Sequence, residues 1–248
     1  MVGITLFVIT NYTSIFDDYD GVTTADYSTN AKIINSSNNS KKINKASNTN
    51  SSNTSNSKST NSTRKINVSN KLYRDMVDYN KKLPAVQMKK MVNEKVLEKP
   101  FLHLSKYGLP NSCIGTIEVD KINLNLPIYL GASDYHMSLG ATHLNYTSAP
   151  TGGKNTNTVI GGHTGYIGRT FFDNLRSLDK GDTIKVKNFW YTLKYKVIET
   201  KTVVKDDTSV LYIQKNRDLL TLFTCVSDRA GGFNRYVVVA ERIKQWNM

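Results

Sequence analysis

The chain has 248 residues, 39% of them hydrophobic and 10% aromatic, enough for one sizeable domain or two small ones. Lys and Arg total 33 against 20 Asp and Glu, a formal net charge of +13 at pH 7, which points to anionic surroundings without naming them. Two cysteines cannot build a disulfide framework, and four histidines without a CxxC spacing cannot build a structural zinc site, so both kinds of scaffold are excluded.

Val2 to Thr10, VGITLFVIT, is apolar but shorter than the roughly 20 residues of a spanning helix, and no Lys or Arg precedes it. Val2 to Thr10 reads either as a short strand or unstructured end or, given the long polar stretch behind it, as the remnant of a signal anchor whose start lies upstream, with residues 1–27 as anchor and flank; the second reading is the expectation. Residues 28–68 read as a spacer: positions 35–63 hold 23 Asn, Ser or Thr in 29, and Ile43 is the only large apolar side chain among them. Such a stretch buries too little to offset ordering costs of about 1–2 kcal/mol per residue, so disorder is expected.

From Ser69 to Leu97 the apolar residues take helical spacing. Leu72, Met76, Tyr79 and Leu83 form one stripe, Met88, Met91, Val92 and Val96 a second, and Pro84 separates them. Two amphipathic helices joined near Lys82 to Val86 are expected, with their stripes docked on the body of the protein. Residues 69–112 thus form a helical N-terminal part and residues 113–248 the main domain.

Beyond Cys113 the period changes to short β-rich runs divided by turns. Strands are expected near residues 114–119, 126–130, 158–162, 182–187, 189–203, 218–224 and 235–243, and short helices near 135–139, 169–175 and 207–213. Many short strands with few long helices favour a closed or nearly closed, mainly β barrel over a doubly wound sheet. Net charge is +8 in residues 1–112 and +5 in 113–248, so the excess sits mostly in the spacer and helices. That distribution fits a nearby anionic surface, and the aromatic and basic residues do not interleave into a nucleic-acid stacking platform.

The chemistry is concentrated near the end of the chain. LLTLFTC, Leu219 to Cys225, is followed by RYVVVAERI from Arg235, and the intervening loop holds Asp228, Gly231, Gly232 and Asn234, all turn formers. This is a hairpin in which Cys225 and Arg235 face each other with Cβ atoms about 5 Å apart. Alternation puts Thr221, Phe223 and Cys225 on one face of the first strand and Arg235, Val237 and Val239 on one face of the second. A guanidinium beside a thiol favours the thiolate, and its fork of donors can hold the oxyanion formed when sulfur attacks a carbonyl. Among His103, His136, His143 and His163, the last follows a buried β-run and lies between glycines in TVIGGHTG, which lets backbone or substrate come close. Taken singly, each of the three has a structural reading: a small buried hydrophobe, an edge Arg paired with Glu241 or Asp228, a loop hydrogen-bonder. Their coincidence at element ends is what points to catalysis. His143, in GATHL, reads as a structural hydrogen-bonder, Cys113 and Cys225 as two free thiols, and no acidic cluster suggests a metal site.

TLFTC, the upstream GGHTG and the Arg opening the last strand resemble the sortases, cysteine transpeptidases of Gram-positive bacterial surfaces, over roughly residues 114–243. The run from IGTIEVDKINLNLPIYLG to GGHTG, and YRDMVDYNKKL before it, are similar to the pilin-polymerising group, class C. The resemblance implies an eight-stranded β-barrel of antiparallel and mixed pairing, with short helices and two N-terminal ones. It implies Cys225 as nucleophile, His163 as acid-base residue, Arg235 as oxyanion and substrate clamp, and Thr224 in the sorting-signal groove, with no cofactor. The implied substrate is a surface protein or pilin carrying an LPxTG-like signal, cleaved between Thr and Gly through a thioacyl-enzyme. The acyl group then passes to an amine, a pilin lysine or a peptidoglycan cross-bridge, at the outer face of the cell membrane. Class C members usually carry a lid with an Asp-Pro-aromatic motif, and Lys99, Pro100 and Phe101 sit near that place. Phe101 there would cover the cleft without the acidic partner, or Pro100 simply ends the helix that holds Val96 and Leu97. The alternative from another class is a non-catalytic wall-binding or adhesin β-barrel in which Cys225 is structural.

Overall fold

A computed structural model describes residues 70–91, 94–109, 111–228 and 231–243. The expected anchor remnant at 1–27 and the expected spacer at 28–68 precede them and lie outside the described residues. Eight strands form a closed barrel in the order β1-β2-β3-β4-β7-β8-β6-β5. They are β1 (Cys113–Val119), β2 (Leu124–Leu130), β3 (Ala141–His143), β4 (Thr156–Gly161), β5 (Thr183–Asn188), β6 (Thr192–Val204), β7 (Asp218–Ser227) and β8 (Phe233–Arg242). The pairs β2–β3 and β4–β7 are parallel and the others antiparallel, so the barrel is mixed, as the family resemblance implies.

The seven longer strands are legible from their β-rich runs between turns, and where one face is more buried than the other, from alternation; β4, buried throughout, is read from its run alone. In β5 the pattern is plain: Ile184 and Val186 are buried while Lys185 and Lys187 reach outward. The strand absent from the sequence reading is β3, whose three residues are all buried and give no alternating signal. β7 and β8 are apolar on both faces for a different reason. Leu220, Leu222, Val238 and Ala240 join Ile117, Ile128, Ile160 and Tyr195 in the barrel interior. Leu219, Val237 and Val239 form a separate outer cluster against which Phe223 and Val210 pack.

The N-terminal helix α1 covers residues 70–82. Its stripe docks as expected: Leu72, Met76 and Leu83 are buried, Leu72 and Met76 within the same cluster as the barrel interior. The expected second helix breaks up. A 3-10 turn at Leu83–Ala85, carrying Pro84, leads into α2 (Gln87–Lys90), and a separate α3 follows at Glu94–Glu98. Met91 leaves helical geometry at φ −82, ψ 54 and buries its side chain with Leu144, Val159 and Leu211. Met88 faces solvent at 76% exposure instead of docking. Tertiary burial of Met91 thus overrides the helical period.

Two further helix expectations fail for a shared physical reason. The stretch 169–175 is a bend and turn that reaches 3-10 geometry only at Leu175–Ser177, because the Asp173 carboxylate takes the N–H groups of Gly165 (2.7 Å) and Phe171 (2.9 Å). Around 207–213 only Ser209–Leu211 is 3-10, and Asp207 Oδ1 accepts from Ser209 N–H. Side-chain acceptors here compete with the helical ladder. The third expected helix forms as α4 (Asp134–Leu139), where Ser133 Oγ caps the His136 N–H.

His143 ends β3 wholly buried. Its Nε2 lies 2.9 Å from the Ser148 carbonyl, which only accepts, so that nitrogen carries the proton. Phe101 packs edge-on against the ring at 5.2 Å. Burial pushes the imidazole down to about 4. The unfolded chain, titrating near 6.5, therefore binds more protons between those two values. Stability is expected to hold above pH 6.5 and to fall by about 3 kcal/mol on going to pH 4. Denaturant unfolding of the native protein and a His143→Asn variant at pH 7 and pH 5 checks this; an equal loss in both proteins would assign the effect to other groups.

Candidate active site

The β7–β8 hairpin places Cys225 directly opposite Arg235. Arg235 Nη1 donates to Cys225 Sγ at 3.2 Å, and both side chains are half-buried. The turn is held by Asp228, whose N–H donates to the Gly232 carbonyl (3.0 Å) and whose Oδ1 accepts from the Gly232 N–H (2.7 Å), with Gly231 at φ 83. Cys225 alternates with Phe223 and Thr221, not with Leu222 and Leu220, so the sulfur belongs to the outer face of the barrel wall.

His163 reaches the same place through β4. This strand runs parallel to β7 with Gly161 paired to Phe223, and the Gly162 N–H donates to the Phe223 carbonyl at 3.2 Å. Two residues further along each chain stand His163 and Cys225, at the same ends of neighbouring strands. The two glycines before His163 are required by close approach: a Cβ on Gly161 would lie 2.6 Å from Phe223 Cζ, and one on Gly162 would lie 2.8 Å from Phe172 Cγ. Thr224 closes the arrangement from the other face. It is 2% exposed, and its hydroxyl donates to the Gly162 carbonyl at 2.7 Å.

The turn after His163 is built around the imidazole. Tyr166 stacks on the ring at 5.4 Å and 23°, and Phe171 lies 6.4 Å from it. Asp173 bridges Gly165 and Phe171 across this turn, the His163 carbonyl accepts from the Phe172 N–H at 2.8 Å, and Arg169 Nη1 donates to the Ser138 carbonyl of α4 at 2.9 Å. Burial holds the His163 pKa below the usual imidazole value, while the negative charge of Asp134 on α4 works in the opposite direction. Tyr166, Phe171, Asp134 and Asp173 do not emerge from the sequence reading. The one available signal, which does not extend to Asp134, is the three aromatics and one Asp in the ten positions after His163, and it does not by itself distinguish a turn from a helix.

Other singled-out residues lie elsewhere. Phe101 stacks on Tyr79 (4.3 Å, 26°) and touches His143, and it packs against the interior cluster. Pro100 follows the end of α3 at Glu98 and borders Gly131, where an added Cβ would come within 2.8 Å of the proline nitrogen. Cys113 and Cys225 are both free thiols, and burial pushes that of Cys113 up to about 11.

A family model described as Sortase domain matches residues 117–243. Sortase D of Bacillus subtilis is 30% identical over 131 residues, 52% of this chain and 63% of that protein. Sortase A of Listeria monocytogenes is 30% identical over 116 residues, 46% of this chain and 50% of that one. The chain therefore spans less than two thirds of the length of these curated relatives. Among solved structures, the pilus-related Sortase C of Group B Streptococcus superposes with a TM-score of 0.59 at 31% identity, covering 75% of this chain and 91% of that one. Sortase C-1 from Actinomyces oris gives a TM-score of 0.55 at 29% identity, covering 69% and 99%.

Proposed function

The chain belongs to the sortase family, and from that premise we propose that it is a cysteine transpeptidase in which Cys225, His163 and Arg235 carry the reaction. The Arg235 Nη1 to Cys225 Sγ hydrogen bond of 3.2 Å is the observation that carries the reading. Cys225 attacks the Thr carbonyl of an LPxTG-like signal, and the C=O π pair moves onto oxygen. Arg235, already beside the sulfur, holds that oxyanion. Collapse expels the glycine amine, which takes a proton from the imidazolium of His163 and leaves a thioester. An incoming amine then attacks the thioester and gives its proton to the neutral imidazole, and the thiolate departs. Because burial lowers the pKa of His163, its proton-donating form is a minority at pH 7, which favours slow turnover.

A pilin lysine is the acceptor in this reading, with pilus assembly as the setting and the outer face of a Gram-positive membrane as the place. The similarity to a pilus-related sortase of Group B Streptococcus supports it. The short apolar stretch Val2–Thr10 supports attachment to the membrane. Phe101, engaged with Tyr79 and His143, contributes packing here, and Thr224 ties the strand of the thiol to the turn of the imidazole. The test is mass spectrometry after exposure to a panel of LPxTG-like peptides. An adduct with the mass of the peptide up to its Thr is expected on Cys225. Its absence with every peptide would leave the wall-binding module as the better account.

A further inference from the structure

Gln87 is a buried amide on the four-residue α2, outside the barrel, and is 3% exposed. Its Nε2 donates to the carbonyls of Tyr146 (2.9 Å) and Leu211 (3.2 Å), and its Oε1 accepts from the Ile213 N–H at 3.1 Å. One side chain thus joins three separate parts of the chain: the N-terminal extension, the β3–β4 connection and the β6–β7 connection. Met91, on the same extension, buries against Leu211 of that last segment.

The β6–β7 connection, residues 205–217, lies over the outer face that carries the thiol. Val210 packs against the outer cluster of Leu219, Val237 and Val239, as does Phe223; Phe223 precedes Cys225 and Val237 follows Arg235 by two residues on the same face. Leu211 and Tyr212 continue this cover over Val159 of β4. From below, Asn157 Nδ2 donates to the carbonyls of Val210 (3.0 Å) and Tyr212 (3.2 Å). A peptide chain that approaches Cys225 along this face therefore runs beside the 205–217 segment. That segment has only one 3-10 turn of its own, so side-chain amides from two other elements fix where it stands.

We propose that Gln87 is a positioning residue that fixes the 205–217 segment as one wall of the groove leading to Cys225, so that the N-terminal extension takes part in recognising the sorting peptide. The site of reaction rests on the function proposed above; the clamp rests on the hydrogen bonds alone. Unlike a catalytic group, Gln87 touches neither the sulfur nor the imidazole in any described contact, and its effect falls on binding.

Two variants test it. Gln87→Met keeps the length and loses all three hydrogen bonds; Gln87→Glu keeps an acceptor for Ile213 and replaces two donations by repulsion. Hydrogen exchange, which needs no substrate, should show the Ile213 amide exchanging at least about tenfold faster in Gln87→Met, with β1 and β5 unchanged. With an LPxTG-like peptide both variants should raise KM about 3- to 10-fold while kcat stays within about twofold. Unchanged exchange at Ile213, a loss confined to kcat, or faster exchange throughout the barrel would each overturn the proposal. A native protein that forms no thioester defeats the proposed function instead, and the exchange result still decides the clamp.

Discussion

A Cys225→Ala protein incubated with an LPxTG-like peptide is expected to give neither cleavage nor an acyl-enzyme mass. The sulfur is the only atom in the arrangement that can form the thioester, so its removal leaves no slower covalent route. The other free thiol does not substitute for it. Cys113 is buried on a strand that pairs with β2 and β5, away from the hairpin, and burial raises its pKa to about 11, so it holds its proton at neutral pH. Comparing intact masses of native and Cys225→Ala protein, with circular dichroism to show that the barrel persists, decides the matter. Residual adduct in the variant would move the nucleophile elsewhere.

Removal of Arg235 should have the second-largest effect. Its guanidinium is the donor that touches the sulfur, and loss of one preorganised donor to a tetrahedral oxyanion typically lowers kcat by about 10²- to 10³-fold. Arg235→Ala is therefore expected to fall by that amount in single-turnover acylation. Arg235→Lys should recover only part of it, since an ammonium cannot present two parallel donors. The barrel should tolerate both changes, because Val237 to Ala240 supply the buried part of β8 and Arg235 is only half-buried. An Arg235→Ala enzyme that acylates within about threefold of the native rate would remove Arg235 from the chemistry.

The legible part of this protein is the part governed by local period and by turn chemistry. Cys225 and Arg235 could be set opposite one another from sequence because a short loop with Asp228 and Gly231 fixes a hairpin and its register. The same reasoning places Leu72 and Met76 in the core from their spacing alone. His163 could be singled out but not located, since its partnership with Cys225 runs through a parallel pairing between strands far apart in the chain. What surrounds it was illegible for another reason: the stacking of Tyr166 depends on Asp173 folding the turn back on itself, a contact that competes with helix and carries no periodic signature. Gln87 was hidden similarly. A glutamine next to Met88 in an amphipathic pattern reads as a polar helix face, and only the arrival of two distant loops gives it three hydrogen bonds.

Complete circular closure of the strands has a consequence for an enzyme whose proposed clients are themselves surface and pilus proteins. Every strand has a hydrogen-bonded neighbour on each side, but not along its whole length: β5 accompanies β6 only from Thr192 to Lys196, while β8 follows it on to Val204, so the end of β6 has a strand partner on one side only. Backbone templating, the usual hazard when β-rich chains crowd together, is thereby narrowed to that stretch of the barrel wall. In the proposed setting, side chains over most of the surface tell a client from a bystander, and the end of β6 is the stretch at which an extended segment could still add.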